Sequence, residues 1–232
     1  MEPSNRTARL AGALYLSTAV LAPFALIYVP RTLIVPGDAA ATAENLLTHE
    51  ALFRWGVVAD LIAGTTLIVV VLLLHRLLSV VSKTQASAMA VLFLVSVPVG
   101  LVNMVFELAA LAVLRGADLF SAFSEPQREA LAMLLIRLGG PAVVVAELFW
   151  GLWLFPFGML VIRSGFLPRV LGALLIVNGC AYVALSLTSL LLPGFAGALG
   201  TYVFPALFGE LWIALWLATK GIRVPPPATA PA

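Results

Sequence analysis

Four carboxylates, Asp60, Glu107, Glu147 and Glu210, lie inside stretches of this chain that are otherwise apolar enough to cross a bilayer. An acid at mid-membrane costs ~2.5–3.5 kcal/mol, so four represent on the order of 10 kcal/mol that packing or function must offset. In such a setting a carboxylate can carry a proton, bind a cation or a polar ligand, or act as a hydrogen-bonding device that fixes helix packing. Catalysis asks for more. The chain has no H-E-x-x-H, Walker loop, G-x-S-x-G or Cys/His cluster, so no catalytic residue, metal or cofactor is assigned.

Helical spacing indicates where the acids point. Gly56, Asp60 and Gly64 share a face, as do Ala206, Glu210 and Ala214, while Glu147 is followed on its own face by Gly151 and Gly158. Small residues mark faces where membrane helices approach closely, which turns these acids toward a bundle interior. Ser96, Gly100, Asn103 and Glu107 form a polar stripe, and Asn178, Tyr182, Ser186 and Ser189 form another at nearly the same period. Counted from the ends of the apolar runs, all four acids lie roughly 8 to 14 Å deep at 1.5 Å per residue, with Glu210 deepest, so one shared layer is expected. Arg54 and Arg137 are the expected rim partners. His49, beside Glu50, could add a ligand or proton carrier but reads first as a solvated surface histidine.

The elements that must position these groups follow from composition. With 62% hydrophobic and 10% charged residues over 232 positions, the chain is too apolar for a soluble domain; its mean hydropathy is +1.09. A formal net charge of +2, with scattered basic residues, gives no footprint for nucleic acid. The one cysteine, Cys180, lies in an apolar run and reads as a small buried hydrophobe. Apolar runs near 10–30, 55–78, 88–114, 141–162, 169–192 and 201–220 predict six transmembrane helices. Asp38 is placed to cap an outer helix over 39–54. Ser124 and Gln127 form a capping pattern before a second outer helix, over 125–138, that Gly139-Gly140-Pro141 should end. The expected fold is thus all-α: a polytopic six-helix membrane bundle with two amphipathic outer-surface helices. It forms one domain over 1–222, followed by a disordered Pro/Ala-rich tail at 223–232.

Orientation follows from Lys and Arg. With the N-terminus inside, the inner segments hold Arg6, Arg9, Arg76, Lys83, Arg163, Arg169, Lys220 and Arg223, against Arg31, Arg54, Arg115, Arg128 and Arg137 outside. That asymmetry places both termini in the cytoplasm.

The chain resembles a bacterial membrane family known as domain of unknown function 4386. The resemblance is carried by Arg9-Leu10-Ala11-Gly12, by Val35-Pro36-Gly37-Asp38-Ala39 through His49-Glu50-Ala51-Leu52-Phe53-Arg54 to Ala59-Asp60-Leu61, by Arg163-Ser164-Gly165-Phe166-Leu167-Pro168-Arg169-Val170-Leu171-Gly172, and by Gly209-Glu210-Leu211-Trp212. It implies a multi-pass protein of the cell membrane and no particular activity, and its motif positions include Asp60, Glu210, Arg54 and His49.

The leading functional expectation is a small carrier or binder of a cation, protons or a polar ligand, seated in the bilayer and acting through the acids. Asn103, Arg54, Arg137, His49, Asn178 and Tyr182 would support them. A membrane-embedded enzyme working on a lipid or small molecule, and a structural or regulatory subunit, are the alternatives. A homo-oligomer is compatible with each.

Overall fold

The computed structural model describes residues 4–116, 120 and 122–222. The expected tail at 223–232 lies outside them, as do Asp118 and Arg223. The described residues form helices and no strand. In chain order these are α1 (Asn5–Leu33), α2 (Ala39–Thr48), α3 (Glu50–Leu78), α4 (Lys83–Leu114), α5 (Glu125–Arg163), α6 (Arg169–Leu191), α7 (Pro193–Val203) and α8 (Gly209–Thr219). Five of them, α1, α3, α4, α5 and α6, are long and apolar enough to cross a membrane; α7 and α8, bent by 52° at the 3-10 turn Phe204–Phe208, would supply a sixth span if the pair acts as one.

Local chemistry sets the helix ends. Gly37 takes a positive φ of 87°, and Asp38 then accepts a hydrogen bond from the Ala41 backbone N–H at 2.9 Å, opening α2 as its sequence predicts. Gln127 accepts from the Ser124 N–H at 2.9 Å, one half of the capping box that starts α5. Between α5 and α6 the Ser164 hydroxyl donates to the Val161 carbonyl and accepts from the Leu167 N–H, while Gly165 turns the chain at φ 72°.

Several expectations are corrected. The outer helix expected over 39–54 stops at Thr48, and Glu50 to Arg54 form the first turns of α3. Gly139-Gly140-Pro141 ends nothing: the helix continues from Glu125 to Leu152. Proline removes one backbone bond, that to the Arg137 carbonyl, and the helix runs on through it, with Gly139 packed against the Asn103 side chain. The expected sixth span over 201–220 is broken at Phe204–Phe208, and the stretch ahead of the break forms the helix α7. Cys180 is exposed rather than buried. It shares an exposed face of α6 with Val177, Leu187 and Leu191, to one side of the glycines that face α5.

The chain divides into two compact units. One contains the residues up to Leu16, Leu67–Phe93 and the residues from Leu148 onward. Its helices meet backbone to backbone: a Cβ on Gly158 would lie 2.6 Å from the Gly172 carbonyl oxygen, and one on Gly151 would lie 2.7 Å from that of Gly179. Gly12 on α1 is equally tight against Leu217 and Ala218 on α8. Trp153, 1% exposed, packs its ring on Phe157, Phe93 and Tyr15. Asn5 accepts from the Ile222 N–H and Arg9 donates to the Thr219 carbonyl, so the start of α1 caps the end of α8.

The other unit contains Ser17–Thr66 and Leu94–Glu147. Its core joins Val29 and Leu33 of α1, Leu46 of α2, Phe53 of α3, Leu111 of α4 and Ala132 of α5. Gly56 lets α3 approach Val29.

Lipid tails are as apolar as leucine side chains, so helix association in such a bundle depends on this close fit rather than on hydrophobic burial. We expect Gly158→Leu to lower thermal stability in detergent by at least the ~1–3 kcal/mol of an overpacked core. Gly64→Ala, where a Cβ would meet nothing within 4 Å, should be neutral or slightly stabilising. Equal melting of the two variants would refute the role given to the Gly158–Gly172 contact.

Candidate carboxylate site

The four acids are handled in three ways. Glu210 opens α8 immediately after the 3-10 turn. The Tyr15 hydroxyl of α1 donates to its Oε2, and the Asn178 amide of α6 donates to its Oε1 at 3.3 Å and also lies 3.4 Å from the Leu207 carbonyl oxygen. Gly209 makes this approach feasible, since a Cβ there would stand 2.6 Å from the Leu174 carbonyl oxygen. The first turn of a helix also favours a negative or hydrogen-bond-accepting group through its free N–H groups. Both oxygens of Glu210 are therefore engaged, by side chains from two other helices.

Asp60 and Glu107 are brought together differently. Both line one cleft in the second unit, whose other walls include Leu26, Val29, Leu33, Phe53, Val57 and Ile136. The cavity volume is about 30 Å³, against the roughly 10–15 Å³ that one water needs. Asn103 holds Glu107 from one side, its amide donating to Oε1 at 3.2 Å. Asn103 is itself buried, with its Oδ1 unpartnered and set against Gly139, where a Cβ would come within 2.5 Å. That contact gives Gly139 a use in the unbroken helix. Among the described residues no hydrogen bond reaches Asp60 or Oε2 of Glu107, and no Lys, Arg or His lines the cleft.

Part of the cleft wall is irregular backbone. Phe24–Tyr28 forms a π-helical turn after Pro23, and its Ala25 and Leu26 face the cleft together with Pro30. Turns of this kind recur at functional sites because the extra residue re-aims the side chains around it.

Glu147 is half-buried on α5 and makes no hydrogen bond or ion pair with the described residues. The expected rim partners are elsewhere. Arg54 pairs with Glu50 at 2.6 Å, and Arg115, which the spacing argument did not single out, grips the same carboxylate through Nε and a terminal nitrogen. Arg137 is exposed, and His49 is exposed at the end of α2. Tyr182 packs edge-on against Trp150, with ring centroids 6.1 Å apart. Among the described residues, no three His, Cys, Asp or Glu side chains gather as metal ligands.

Sequence reasoning missed Tyr15. Tyr15 shares its apolar run with other hydroxyls, Ser17 and Thr18 among them, and no periodicity links a residue on the first helix to Glu210 on the last.

The family described as Domain of unknown function (DUF4386) matches residues 10–221. An uncharacterized protein of Archaeoglobus fulgidus is 39% identical over 77 residues, covering 33% of this chain and 44% of that protein. The aligned part is thus less than half of the relative's own length. No solved structure matches the chain.

Glutamine at 210 keeps the shape and one acceptor oxygen, and its NH2 can be accepted by a turned Tyr15 hydroxyl or by Asn178 Oδ1, which has no partner among the described residues, whereas loss of the tyrosine hydroxyl leaves the carboxylate short of a donor. Tyr15→Phe should therefore lower stability by about 0.5–2 kcal/mol, the range for polar contacts between membrane helices, and Glu210→Gln by less. Paired thermal unfolding of wild type and both variants in one detergent tests this. A larger loss for Glu210→Gln than for Tyr15→Phe would contradict this account of how the Glu210 contact is satisfied.

Proposed function

The chain belongs to the family Domain of unknown function (DUF4386), and from that premise we propose that it is a multi-pass protein of the cell membrane that binds and carries a small cation or protons through Asp60 and Glu107. The observation that carries this reading is the pair of carboxylates in one apolar-walled cleft that, among the described residues, no basic residue lines. Two acids in such a place need a compensating positive charge or a proton. Protein groups supply one donor, Asn103, to one oxygen. A cation or exchangeable proton completes the set. Glu210, with both oxygens engaged, takes the packing role within this proposal; Glu147 takes none.

The proposed topology has six spans, α7 and α8 together forming the last, with residues 1–222 working as one membrane domain and both termini cytoplasmic. Support comes from the basic residues of the inner segments and from the five or six helices of sufficient length. Single cysteines at positions 45 and 225, in a Cys180→Ser background, should react with an impermeant maleimide from opposite sides of the membrane; labelling of both from one side would refute the topology.

Asp60→Asn and Glu107→Gln keep shape and hydrogen bonding but remove charge. In proteoliposomes each should abolish cation or proton flux while melting within a few degrees of wild type. Flux that survives both substitutions would end the carrier reading of this pair.

A further inference from the structure

Within the proposed cation site, the walls discriminate between kinds of cation. A dehydrated inorganic ion needs an oxygen cage: Ca²⁺ takes about 6–8 oxygen ligands, and Mg²⁺ insists on a near-octahedral set while holding its waters tightly. The cleft offers the carboxylates of Asp60 and Glu107, and one of those four oxygens already accepts from Asn103. Among the described residues no hydroxyl or amide side chain lines it; around the acids stand Leu26, Val29, Phe53, Val57 and Ile136. Such a lining cannot replace the hydration shell of an inorganic ion.

An organic ammonium has a different requirement. Its N–H groups need two or three acceptors, which Asp60 and the free oxygen of Glu107 provide, and its carbon substituents gain from leaving water for apolar walls. The π-helical turn adds to the fit by placing Ala25 and Leu26 in the wall. The other α1 residues that line the cleft, Val29, Pro30 and Leu33, and Ile34 just past the helix end, are likewise apolar. We propose that the cleft between α1, α3, α4 and α5 of the second unit binds a small hydrophobic ammonium cation, its nitrogen between Asp60 and Glu107 and its hydrocarbon part against the apolar wall.

This inference rests on the cation reading above, and the test separates the two. Full-length protein in detergent is titrated calorimetrically, at constant ionic strength, with methylammonium, propylammonium and pentylammonium chlorides, with sodium, potassium and magnesium chlorides, and with pentanol as the uncharged control. The proposal expects saturable ammonium binding at one site per chain. Affinity should rise by up to about fourfold per methylene until the cleft is filled. Asp60→Asn and Glu107→Gln should each weaken pentylammonium at least tenfold, and pentanol should not compete. Val57→Trp, which fills the cleft without altering charge, should weaken pentylammonium and spare methylammonium. If the variants fail to fold, the chain-length series and the pentanol control on wild type decide alone. Saturable binding of inorganic cations with no gain along the ammonium series would overturn the inference and leave the cation reading standing. An absence of saturable binding by any cation would overturn both.

Discussion

An acid placed among apolar helices has to be satisfied by its neighbours, because hydrocarbon offers no water to do it. Much of the packing in the first unit follows from meeting that demand for Glu210. Its partners stand on α1 and α6, so three helices must come within hydrogen-bond reach of one carboxylate. The glycines allow it. Gly209 lies against the backbone of α6, Gly12 brings α1 onto α8, and Asn5 and Arg9 fasten the same two helices at their far end. Each contact alone is worth little in a membrane, where interhelical hydrogen bonds average well under 2 kcal/mol. Together they fix α1, α6 and α8 at one mutual register. The motif residues Arg9, Gly12, Gly209 and Glu210, scattered across the sequence, belong to this one arrangement.

Features governed by local chemistry were legible in the sequence. The apolar runs located the long helices, Asp38 and Ser124 marked helix starts, and the glycines following Glu147 foretold the tight face toward α6. Features governed by tertiary competition were not. Gly-Gly-Pro commonly ends helices; in α5 it does not, and Gly139 instead seats the Asn103 side chain, a tertiary contact that the local sequence does not announce. The break at Phe204–Phe208 ran the other way, since an uninterrupted apolar run gave no sign of a 3-10 turn just ahead of Glu210. Cys180 shows the limit of composition in such a chain: an apolar run predicts helix, but its lipid-facing and protein-facing sides are equally apolar and burial cannot be read from it.

The candidate site was legible as residue types and not as partnerships. Asn103 and Glu107 four residues apart on one helix face did meet, because that spacing leaves little choice. Arg54 was four residues from Glu50 as well as near Asp60, and it took the same-helix partner at the exposed helix end, where the carboxylate could also draw Arg115. The pairing of Asp60 with Glu107 depends on how α3 and α4 pack against the π-helical part of α1, and no sequence periodicity encodes that.

Depth alone is therefore a poor guide to which acid acts. Glu210 sits deepest by sequence count, and for that reason carries the fullest set of protein hydrogen bonds: a carboxylate far from water survives only if the fold completes its partners. A group completed in this way is expensive to free, and a ligand would have to break contacts among three helices to reach it. Asp60 and Glu107 stand at a cleft, with oxygens that the fold leaves unsatisfied and walls that hold no cation of their own. Binding there completes a deficit instead of dismantling a contact, so the binding free energy is not spent on rupture. The carrier reading proposed for Asp60 and Glu107 therefore draws on the acids that the packing serves least.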